Sequence, residues 1–153
     1  MEKLLARLRQ DYPALRFEEA EIASWSPRLK RVSYSLHEGE ADQWSLLHEL
    51  GHALANHQGY TTDINLVRKE SEAWEKAREL AKVYEVNIGD DHVQWCMDTY
   101  RDWLHKRSAC PNCSSHGLQQ NKALYCCPNC KTQWMVSSER FCRPYRLKMA
   151  QTA

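Results

Sequence analysis

The stretch His48-Glu49-Leu50-Gly51-His52 has the spacing HExxH. On an α-helix, residues four apart share a face, so His48 and His52 can grip one metal ion. Glu49 follows the first ligand, where its carboxylate can reach a zinc-bound water and take a proton. The flanks read as helix, with Leu46, Leu47, Leu50 and Leu54 at apolar positions and Asp42 expected to cap the start. The bland alternative is a helix that carries these three side chains by chance.

A third ligand has to come from elsewhere. A metzincin-type extension requires Gly and His three and six residues after the second histidine, and those positions are Ala55 and Gln58. His57 lies five residues past His52, a helical rotation of about 500° that points it off the ligand face. Beside Asn56 and Gly59 it reads as a solvated residue near the helix end. The remaining candidates are Glu70 and Glu72. On a helix expected from about Leu66 to Tyr84, the apolar stripe holds Leu66, Ala73, Ala77, Leu80, Ala81 and Tyr84. Glu70 falls inside that stripe, and Glu72 projects about 160° away from it. An acid on an apolar face needs a partner or a metal, because a bare buried charge is costly. Glu70 is the choice.

His48-Glu49-Leu50-Gly51-His52 followed by Glu70-x-x-Ala73 resembles the gluzincin metallopeptidases of the ImmA/IrrE type. The resemblance runs from about Val32 to Tyr84. It implies a zincin-like domain with zinc held by His48, His52 and Glu70 and with Glu49 as general base. It also implies that the strand Arg31 to Leu36 offers an edge to an extended substrate. Trp74 stands where Asn or Asp is usual, and Lys76 where Phe is usual. A polar residue at position 74 would support a ligand histidine from behind. Proteins of this type commonly cut a transcriptional regulator. A metallopeptidase domain followed by a zinc ribbon is also the layout of SprT-like proteins, which act on DNA-bound proteins but use a third histidine.

A second metal signal is independent of the first. Cys110-Pro-Asn-Cys113 and Cys127-Pro-Asn-Cys130 are two identical turns separated by 13 residues. Each turn converges two thiolates, and the pair completes a tetrahedral structural zinc site. Gly117, the hairpin-like Ala123-Leu124-Tyr125 and Thr132 to Val136 complete the pattern of a β zinc ribbon. Disulfides are the rival reading. The opening Met1-Glu2-Lys3 has no signal-peptide character, which favours reducing cytoplasm and metal-bound thiolates. Of the other cysteines, Cys96 is expected to pack in a helix, Cys126 could replace Cys127 at poorer spacing, and Cys142 is uninformative.

The chain is expected to be α+β, with a metallopeptidase domain over 1–106 and a zinc ribbon with a basic tail over 107–153. Helices are expected at Met1 to Asp11 and Asp90 to Lys106, and strands at Phe17 to Trp25 and Arg31 to Leu36. No apolar run is long enough to cross a membrane. Residues 1–100 carry 12 Lys and Arg against 18 Asp and Glu, whereas residues 101–153 carry 9 against 2. The basic half also holds Tyr125, Trp134, Phe141 and Tyr145, which could stack on bases or build a small core. The ribbon is therefore a candidate for binding nucleic acid or a partner protein.

The function expected is a zinc-dependent endopeptidase acting on a protein or peptide substrate, with two Zn2+ ions, one catalytic and one structural. The alternative is a catalytically weak or inactive metal-binding regulator whose ribbon does the work. For an oxyanion stabiliser, spacing favours none of Tyr60, Tyr84, His92 and Tyr100.

Overall fold

A computed structural model describes residues 1–37, 39–137 and 146–149. It is a mixed α+β structure that divides into two compact units, 1–59 with 68–93, and 60–67 with 94–153.

In the first unit, helix α1 (Glu2–Asp11) buries Leu4, Leu5 and Leu8 on one face, the i, i+1, i+4 spacing of an amphipathic helix. The strands β1 (Arg16–Glu19), β2 (Ser24–Ser26) and β3 (Arg31–Tyr34) form a sheet in the order β1-β3-β2. β1 is parallel to β3 and β2 is antiparallel to it, with Phe17 and Trp25 both opposite Val32. Two expectations change here. The segment from Phe17 to Trp25 is two strands, on opposite sides of β3, because the chain leaves the sheet between Glu19 and Ser24. β3 ends at Tyr34 and is paired on both sides, so it has no free edge for a substrate.

Helix α2 (Glu40–Leu54) packs on β2 and β3, burying Leu46, Leu47 and Leu50. Its start is not capped by Asp42: Gly39 is the N-cap residue, at φ 67, and makes no side-chain hydrogen bond. Asp42 lies inside the first turn, where it is buried and accepts a 2.5 Å hydrogen bond from Ser35 Oγ. The acid thus ties the end of the sheet to the helix. Helix α3 (Asp63–Tyr84) contributes Ala73, Trp74, Ala77 and Ala81 to the same core.

The second unit holds most of helix α4 (Asp90–Ser108) and an antiparallel sheet in the order β4 (Leu118–Gln119), β5 (Leu124–Cys126), β6 (Gln133–Val136), β7 (Arg146–Lys148). Tyr125 and Trp134 stack at 5.6 Å in its interior and are almost wholly buried. They are core, so they are not available to stack on bases; Phe141, Tyr145 and Cys142 lie outside the described residues. Gly117 makes room for the Trp134 ring, which would collide with any Cβ at that position.

Beneath that core lies a buried charge pair. Asp63 is fully buried and accepts hydrogen bonds from Arg107 Nε and Tyr125 Oη, each at 2.6 Å. Gln119 donates to it at 3.2 Å, and the Arg107 guanidinium lies over the Trp103 ring at 4.4 Å. Burial and the Asp63 hydrogen bond together push the Tyr125 hydroxyl well above its ordinary pKa. Buried charges persist only when paired this fully.

Candidate metal centre

His48 and His52 stand one turn apart on α2 and face Glu70 on α3. His48 Nε2 is 3.2 Å from Glu70 Oε2, His52 Nε2 is 3.5 Å from the same oxygen, and the two Nε2 atoms are 3.2 Å apart. Two imidazole nitrogens and one carboxylate oxygen therefore form a nearly equilateral triangle. Ligands bound at about 2.05 Å around a tetrahedral zinc stand about 3.4 Å apart. The triangle matches that spacing, and among the described residues these three form the donor group.

Close approach of the two helices makes this possible. At Gly51 any Cβ would overlap the Ala73 carbonyl oxygen, so only glycine lets α2 and α3 come this near. Glu70 is buried. Burial opposes its ionisation, but the hydrogen bond from His48 and the nearness of both histidines outweigh that and hold the carboxyl below the usual range. The neighbouring Glu49 moves the other way. Burial raises its pKa, partly offset by the two histidines and by a hydrogen bond from the Trp25 backbone.

What lies behind the two histidines differs. The His48 ring stacks on Trp74 at 4.3 Å, and its Nδ1 is buried without a hydrogen-bond partner. The aromatic residue where a polar one was expected to help thus leaves an orphaned nitrogen. His52 Nδ1 instead lies 2.9 Å from His57 Nδ1, and His57 Nε2 lies 3.0 Å from Glu72 Oε2.

This overturns the expectation of a solvated His57 and an uninvolved Glu72. The helical projection fails because α2 ends at Leu54. Asn56 adopts φ 51, and the His57 N–H returns to the His52 carbonyl at 2.9 Å while the Asn56 N–H bonds Ala53 at 3.1 Å. These are the two bonds of a Schellman motif, which folds the residue after the left-handed one back over the last turn. His57 is accordingly buried against His52. Asn at that position was the available signal. Burial lowers the His57 pKa despite the hydrogen bond to Glu72.

Of the residues weighed as oxyanion stabilisers, Tyr84 is engaged with Asp11 at 2.7 Å. His92 packs edge-on against Trp44 and Trp74. Tyr60 and Tyr100 belong to the second unit.

The second donor set is Cys110, Cys113, Cys127 and Cys130, whose sulfurs all lie within 4.8 Å of one another. Cys110 is 3.6 Å from Cys130 and Cys113 is 3.5 Å from Cys127. Those distances exclude disulfides and approach the roughly 3.8 Å between sulfurs on a tetrahedral zinc. The two turns are built alike. Ser114 and Lys131 both take φ 60, and their N–H groups bond Cys110 and Cys127 carbonyls at 3.0 and 3.1 Å. Cys110 and Cys127 in turn donate N–H bonds to Ser115 and Thr132 carbonyls, both at 2.9 Å. Hydrogen bonding with Thr132 brings the Cys130 thiol down to about 5, whereas burial and the neighbouring Cys113 and Cys130 sulfurs push Cys127 up to about 11, so in the absence of a metal the four sulfurs do not share one protonation state. Cys126 lies outside the cluster, its sulfur turned to the Cys127 carbonyl, and Cys96 sits half-buried on α4.

No protein-family model matches the chain, and no curated protein or solved structure matches it either.

Proposed function

We propose that the chain is a zinc-dependent endopeptidase whose catalytic zinc is held by His48, His52 and Glu70. The carrying observation is the donor triangle of 3.2, 3.2 and 3.5 Å with Glu49 next to its first member. The likeness of these residues to the ImmA/IrrE gluzincins, and with it a zincin-like domain, supports the same reading.

When bound, zinc would lower the pKa of a coordinated water towards about 7 and polarise a substrate carbonyl. Glu49 takes the proton of the attacking water and passes it to the leaving amine. Its half-buried carboxylate is anchored by the Trp25 backbone, which belongs to β2, an outer strand of the sheet. An extended substrate pairing along β2, rather than along the fully paired β3, would bring its scissile bond past Glu49. The substrate class is a protein or peptide, and a transcriptional regulator or DNA-bound protein suits the resemblance.

The four-cysteine cluster serves as the structural zinc site of a β ribbon. The excess of Lys and Arg over residues 101–153 suits a nucleic acid or an acidic partner protein. Four unbridged, closely spaced sulfurs suit the reducing cytoplasm. Among the described residues, no helix is long and apolar enough to cross a membrane.

One observation favours a second reading, a weakly active or inactive metal-binding regulator: the buried His48 Nδ1 has no partner to set its ring. The two readings part on one experiment. Wild type and Glu49→Gln are loaded with zinc and incubated with fluorescence-quenched unstructured peptides. Cleavage by wild type alone, with equal zinc in both, supports the peptidase. Equal cleavage by both removes Glu49 from the chemistry, and none by either favours the regulator.

A further inference from the structure

The His52–His57–Glu72 contacts form a chain with a direction. A carboxylate can only accept, so with Glu72 Oε2 at 3.0 Å the His57 Nε2 must carry the proton. In a neutral ring, Nδ1 of His57 is then bare and accepts. Its neighbour at 2.9 Å, His52 Nδ1, must therefore donate. That leaves the lone pair of His52 on Nε2, the atom in the donor triangle. We infer that Glu72 and His57 are positioning residues that hold His52 in the tautomer whose Nε2 is free to bind metal. This rests on the proposed role of His48, His52 and Glu70 as metal ligands.

Three features support it. The relay is braced at its far end, where Arg68 Nε lies 3.4 Å from the other Glu72 oxygen. It is braced in the middle by the helix-ending motif that buries His57, whose carbonyl also accepts a 2.9 Å hydrogen bond from Trp25 Nε1. The chain also closes at its near end. With Nε2 of His52 bare, His48 Nε2 can donate to it at 3.2 Å or to Glu70 at the same distance. This would leave His48 Nδ1 without a proton, consistent with that buried atom having no hydrogen-bond partner. The two histidines of one metal site are thus preset in opposite tautomers: His52 ready to ligate, His48 only after its ring proton moves.

The test uses the full 15N-labelled chain with its cysteine cluster zinc-loaded. Long-range 1H–15N correlations read each histidine tautomer before a second equivalent of zinc is added. Competition against a chromophoric chelator then gives the affinity for that equivalent. The variants are Glu72→Ala, at a half-exposed position that tolerates change, and His57→Phe, which keeps the ring volume. The expected wild-type pattern is Nδ1–H for His52 and Nε2–H for His48. In both variants His52 becomes a mixture of tautomers and zinc binds about 10–100-fold more weakly. An unchanged His52 tautomer in Glu72→Ala overturns the relay, as does unchanged affinity. Failure of wild type to take up the second zinc would instead overturn the metal reading, while the tautomers still decide the relay.

Discussion

Replacing Gly51 by alanine tests the link between helix packing and the donor triangle. The added methyl would overlap the Ala73 carbonyl oxygen and stand 3.2 and 3.3 Å from Ala73 C and Cα. These are backbone atoms of a helix, so relief requires α2 and α3 to part until carbon and oxygen stand about 3.3 Å or more from each other. Overpacking of this kind costs about 1–3 kcal/mol. The better helix propensity of alanine offsets up to about 1 kcal/mol of that. With that offset in full, the clash leaves a net loss of up to about 2 kcal/mol. Glu70 lies one turn before Ala73, so parting the helices lengthens the 3.2 and 3.5 Å edges that join it to the two histidines. At about 1.4 kcal/mol per factor of ten, zinc should bind the first site roughly tenfold more weakly. Chelator competition reads that loss, with the cysteine cluster as the unaffected internal standard. Unchanged zinc affinity together with an unchanged melting temperature would show that Gly51 does not set the spacing.

Asp63→Ala should destabilise the second unit by about 3–5 kcal/mol, because it strands Arg107 in the interior without its counter-charge. Hydrogen exchange across residues 94–137 measures this, and a loss below about 1 kcal/mol would dismiss the pair as a stabilising contact. Cys113→Ser should unfold the ribbon while leaving residues 1–59 protected from exchange, since structural zinc supplies on the order of 10–16 kcal/mol of apparent binding energy. Full protection of the ribbon amides in that variant would mean that the metal does not hold the module together.

Much of the metal centre could be read from residue spacing. HExxH places two histidines on one helical face, and an acid inside the Ala73–Ala77–Leu80 stripe has to find a partner in the interior. Glu70 does find one. The paired Cys-Pro-Asn-Cys turns were equally legible, because their local geometry repeats and needs no distant contact. The support behind His52 was not. Its reading extended a helical wheel past Leu54, whereas the left-handed Asn56 reverses the chain and brings His57 back. Glu72 does point away from the apolar stripe, yet a residue arriving from outside the helix meets it there. Strand pairing was missed for a related reason. Alternation shows which face of a strand is buried but not which neighbours flank it, so it could not correct the edge that the family resemblance implied for β3, which is the central strand. Asp63 lies ahead of the helix start expected at about Leu66, and only tertiary packing brings it to Arg107.

The central claim is that His48, His52 and Glu70 hold one metal ion and the four cysteines hold another. Elemental analysis of the purified full chain, wild type beside Glu70→Ala, tests it directly. The wild-type chain should carry two zinc ions and the variant one, with the cysteine cluster still filled. Two in both would show that Glu70 is not a ligand, and one in both would leave the histidine site without its metal.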